Sequence, residues 1–74
     1  MSENHMNSNE LLKLLLSFIP PGNEALKDRA LLLATFDNLK DAIEAMETYI
    51  ANADPDEDTS KERDFLEKMK NHLN

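Results

Sequence analysis

Apolar positions fall into three stretches separated by two breaks. In the first, Leu11, Leu12, Leu14, Leu15, Leu16, Phe18 and Ile19 follow Asn7, Ser8 and Glu10. Asn7 with Glu10 three places on is a capping-box pattern with Asn in place of Ser or Thr, and Ser8 is an equally good cap. The pattern predicts a helix over 8–19, stopped by Pro20-Pro21-Gly22: proline disfavours helical geometry in the residue before it, and glycine permits the reversal. At 100° per residue the apolar side chains of this helix cover an arc of about 200°, wider than the stripe a surface helix needs. Glu10, Lys13 and Ser17 share the remaining strip. Such a helix is either the centre of the domain, covered on two sides, or has one flank against a second chain.

The second stretch, 23–53, opens on Asn23 as a cap and contains no Gly or Pro after it. Leu32, Phe36, Leu39, Ile43, Met46, Ile50 and Ala53 recur at alternating spacings of four and three. That is a heptad seam. It runs through Thr35-Phe36-Asp37-Asn38, the one candidate break, where Asp37 or Asn38 would cap a new helix with Asp41 in its first turn. A rebuilt axis has no reason to keep the phase, so the pattern favours one continuous helix of about 45 Å. The alternative is a kink near Asp37, giving four short helices.

Asp54-Pro55-Asp56-Glu57-Asp58 ends this stretch. Pro55 turns Asp54 away from helix, and four acids in five residues repel one another, so the segment reads as a solvated loop. Thr59 with Glu62 is a Thr-x-x-Glu capping box. The last helix, 59–73, carries a narrow apolar line of Phe65, Leu66, Met69 and Leu73.

Seventy-four residues make one small domain with a thin stability margin. The reading assigns 1–7 to a disordered N-terminal tail and 8–74 to a single helical domain. Without Cys, disulfides and thiolate chemistry are excluded, and the only two histidines, His5 and His72, sit at opposite ends. Burial against a partner or a second copy is then the expected source of extra stability. The net charge is −7, of which −4 lies in residues 54–58. That balance opposes binding to nucleic acid or an anionic membrane and suits a basic partner. The basic residues Lys61, Arg63, Lys68 and Lys70 are interleaved with acids, and Phe18, Phe36, Tyr49 and Phe65 are too scattered to form a stacking platform. The residues before the apolar run carry Glu3 and Glu10 but no Lys or Arg, the wrong charge for a signal peptide. The apolar run spans nine residues, interrupted by Lys13, where a membrane span needs about 20. A cytoplasmic location is expected.

No catalytic constellation emerges. Gly22 is the only glycine, so there is no phosphate-cradling loop, and the serines lie in no nucleophile motif. Asp54-x-Asp56-x-Asp58 invites a calcium reading, but counting from Asp54 puts Thr59 where an EF-hand needs Gly and Phe65 where it needs the clamping Glu. The expectation is no enzyme activity, no cofactor and no metal.

The fold expected is all-α: a three-helix antiparallel bundle with a long central helix, paired as a homodimer or held in a tight hetero-complex. The function expected is that of a small regulator, adaptor or inhibitor that covers a surface of a larger protein. Its apolar anchors would be Leu11, Leu15, Phe18, Phe36, Ile43 and Ile50, with Asp37, Asp41, Glu44, Glu47, Asp56 and Asp58 as an acidic rim. Two alternatives stand beside it. One is an acidic DNA mimic that blocks a DNA-binding protein, and the other is a structural subunit of a larger assembly.

Overall fold

The computed structural model describes residues 7–36 and 38–73. It contains four helices: α1 (Ser8–Ser17), α2 (Glu24–Leu33), α3 (Leu39–Ala51) and α4 (Ser60–Leu73). The expected tail over 1–7 lies outside the described residues except for Asn7, which belongs to the folded part. Its Oδ1 accepts from Glu10 N at 2.8 Å, while Glu10 Oε1 accepts from Asn7 N at 3.2 Å. The capping box read from the sequence is therefore closed on both sides.

After Ser17 the chain tightens, with Phe18 N donating to Leu15 O and Ile19 N to Leu16 O, each at 3.1 Å. These three-residue steps satisfy carbonyls that a helix end leaves open. Gly22 then turns at φ 86°, in the left-handed region that costs glycine nothing. Asn23 Oδ1 accepts from Leu26 N at 3.1 Å and starts α2.

The long continuous helix is replaced by two. The same tightening recurs after Leu33, where Thr35 N donates to Leu32 O and Phe36 N to Leu33 O. Asn38 is extended, at φ −155° and ψ 162°, and its Oδ1 accepts from Asp41 N at 2.8 Å. An Asn in this conformation caps a new helix. The heptad argument fails because its first members are not in the core: Leu32 and Phe36 are exposed, whereas Leu39, Ile43 and Met46 are buried. The seam belongs to α3, and the positions that extend its phase backwards coincide with it by spacing alone.

The α4 box is not closed. Asp58 Oδ1 accepts from Ser60 N at 3.0 Å, a different N–H from the Glu62 N that a Thr59 box would hold. Glu62 Oε1 is buried with no hydrogen-bond partner among the described residues, so it does not reach back as a closed box requires.

All four helices supply one core. It comprises Leu11 and Leu15 from α1, Leu26, Ala30 and Leu33 from α2, Leu39, Ala42, Ile43 and Met46 from α3, and Phe65 and Met69 from α4. The most extensive packing joins α3 to α4, followed by α1 to α2. Each large side chain buried here contributes about 1.5–3 kcal/mol of transfer free energy. Arg29 of α2 stacks its guanidinium 3.9 Å from the centroid of the Tyr49 ring on α3, and Lys70 of α4 meets Glu47 of α3 at 3.0 Å. No helix is long and apolar enough to cross a membrane among the described residues.

Candidate protein-docking surface

The predicted apolar anchors separate into three groups. Leu11 and Leu15 are fully buried and Ile43 nearly so; they fill this chain's own core and cannot also face a partner. Phe18 and Ile50 are half-buried and pack against that core. Phe18 also meets the His72 ring at 5.9 Å between centroids, with the planes tilted by 57°. Of the six, Phe36 alone is exposed, at 37 %.

The apolar surface that remains open lies chiefly on α2. Its inward line is Leu26, Ala30 and Leu33, at spacings of four and three. Three consecutive leucines sweep about 200° around a helix, so with Leu33 inward the two before it must turn out. Leu31 and Leu32 accordingly stand 56 % and 58 % exposed. The run Leu31-Leu32-Leu33 following Ala30 was the available signal for this surface, and the heptad seam obscured it by claiming Leu32 for the core. Leu16 of α1, 39 % exposed, is the other large apolar side chain in this class.

Phe36 reaches the same end of the molecule because α2 stops where it does. Thr35 Oγ1 donates to Leu32 O at 2.7 Å, adding a second bond to the carbonyl that already accepts from Thr35 N. Phe36 follows and is exposed. The Arg29–Tyr49 stack ties α2 to α3; both residues are partly exposed, and a solvent-accessible contact of this type is worth about 0.5–1 kcal/mol.

The predicted acidic residues do not form one uniform surface. Asp37 lies outside the described residues. Asp41 and Glu44 are exposed on α3, with Asp41 Oδ2 accepting from Asn38 Nδ2 at 3.2 Å. Glu47 is paired with Lys70, so the row Asp41, Glu44, Glu47 is interrupted by a cation at its far end. Asp56 and Asp58 are exposed in the loop before α4. There the Ser60 N–H, helped by the Ser60 hydroxyl, holds the Asp58 carboxyl below its ordinary value. Among the described residues, no group of three or more His, Asp or Glu side chains is placed to hold a metal ion.

No protein-family model, curated protein or solved structure matches this chain. Its functional reading rests on its own geometry.

Proposed function

We propose that this chain is a non-catalytic protein-interaction module that docks on a larger protein through the C-terminal end of α2. The observation that carries the reading is the pair Leu31 and Leu32, both more than half exposed, with Phe36 beside the end of the same helix. Leucines already about half covered gain about 1–1.5 kcal/mol each when a partner buries the rest, and anchors of this kind dominate interface energetics. The four-helix core presents the pair on a helix rather than on a loop, so little ordering cost accompanies binding. The exposed carboxylates Asp41 and Glu44 supply the polar rim.

The test is a comparison of the chain with its L31S/L32S variant as bait in lysate of the source organism, read by the stoichiometry of the recovered complex. The reading expects a stoichiometric partner that the variant loses while its far-UV circular dichroism and melting curve stay unchanged. A partner retained at equal stoichiometry by the variant overturns it.

A further inference from the structure

The chemistry of the partner follows from the size and charge of the same surface, and this inference rests on the docking reading above. Leu31, Leu32 and Phe36 are 56 %, 58 % and 37 % exposed. With about 200 Å² for a large apolar residue, they present about 300 Å². A standard interface takes about 800 Å² from each partner, and homodimer interfaces are the more apolar class. A second copy brings only the same small patch to the contact. It also brings the same net charge of −7, which repels an identical chain.

Local charge has the same sign. Asp28 lies one helical turn before Leu31 and Leu32, on the same side of α2. Beyond Phe36 along the chain, Asn38 holds Asp41, and Glu44 follows one turn along α3. Lys40 is the exposed cation among these carboxylates. Arg29 is turned onto the Tyr49 ring, and Lys27 pairs with Glu24 at 3.4 Å. Asp28, Asp41 and Glu44 against Lys40 leave the exposed charge on these segments of α2 and α3 negative.

We infer that the occupant of the Leu31–Leu32–Phe36 surface is a basic amphipathic helix of another protein, seating apolar side chains on the two leucines and Phe36 and directing Lys or Arg toward Asp28, Asp41 and Glu44. An apolar centre supplies affinity, and the acidic rim supplies orientation and a fast approach. The small apolar area matches one helix face better than a broad flat interface.

The test uses a synthetic 18-residue amphipathic peptide of leucine and lysine, titrated by fluorescence anisotropy. Its controls are a leucine–glutamate peptide of the same pattern and the mass of the chain by light scattering. The expected result is micromolar binding of the lysine peptide to a monomeric chain. Binding should weaken at least tenfold in L31S/L32S, and severalfold in D28K/D41K or when NaCl is raised from about 0.05 to 0.5 M. Equal binding by L31S/L32S, or equal binding of the glutamate peptide, overturns the inference. So does a dimer that dissolves in L31S/L32S, which would make a second copy the occupant. A missing peptide complex alongside a lysate partner lost by L31S/L32S refutes the basic helix and leaves the docking surface standing. A lysate partner kept by L31S/L32S refutes the docking surface itself.

Discussion

Helices α1 and α2 teach opposite lessons about apolar sequence. The first is apolar over more than half its circumference, yet the fold uses most of that surface: Leu11 and Leu15 are in the core, and Leu12 and Leu14 pack against it. The second is less apolar along its length, yet it carries the two most exposed leucines of the described chain. The number of apolar residues in a helix therefore does not locate an interaction surface. The phase of those residues against the neighbours does. Helix α1 packs most of its wide apolar arc within this chain, whereas the triplet Leu31-Leu32-Leu33 has one inward place for three side chains.

That contrast can be broken most directly by truncating matched leucines. Leu15→Ala should cost about 2–5 kcal/mol, because it leaves a cavity in a fully buried site. A domain of this size has a total stability of the order of 5 kcal/mol, so the variant should melt far below the parent or fail to fold. Leu32→Ala should change stability by about 0.5 kcal/mol or less, as exposed positions usually do. Urea denaturation of both variants checks the pair. Similar costs would mean that α2 is covered in solution, and the contrast would collapse.

The outward pose of Leu32 also depends on α2 ending at Leu33. Asn38→Ala tests that ending. It removes the cap of α3 and should cost about 1 kcal/mol. Were residues 24–51 one helix, alanine at a mid-helix position would be neutral or stabilising, since it has the highest helix propensity. The sign of the change in melting temperature distinguishes the two. Asn7→Ala, which opens the box at the start of α1, should cost a similar ~1 kcal/mol and calibrates the measurement.

The smallest effect lies away from both helices, in the loop before α4. The Asp58 carboxyl is held below its ordinary value by the Ser60 N–H. Its ionised form therefore favours the folded state above the unfolded-state pKa, and that contribution fades as pH falls through the lowered folded value. Asp58→Asn should reduce stability slightly at neutral pH. The gap between variant and parent should close in strong acid, as read from melting temperatures across pH 2–7. A gap that widens on acidification would contradict the assignment of Asp58 as an anchored carboxylate.

Much of the architecture was legible in local sequence. The all-helical class followed from composition and the 3.6-residue pattern. The caps Asn7 and Asn23, the Pro20-Pro21-Gly22 stop and the acidic loop at 54–58 all act through residues within three or four places of one another. The break before Asn38 was legible too, but the heptad spacing spoke against it. Spacing is preserved by accident as readily as by a continuous axis, and only burial tells them apart. At α4 the local pattern misled in the opposite way: Thr59 and Glu62 had the right spacing for a box, yet Glu62 Oε1 is buried with no partner among the described residues, and the side-chain bond at this helix start runs from Ser60 N to Asp58 Oδ1.

The candidate surface was less legible because exposure is a property of neighbours. Phe36 was named from the sequence as an anchor and stays exposed, but Leu11, Leu15 and Ile43 were assigned outward roles that the core claims. Leu31 and Leu32 were absent from that reading. The sequence by itself determined that the chain would be helical, acidic and punctuated near these caps, since propensity, capping and charge are local and additive to a first approximation. Tertiary structure decided which side of each helix faces inward, and so which leucines remain exposed. Four short helices packing on one core can satisfy only one stripe each, and that choice is made jointly rather than helix by helix.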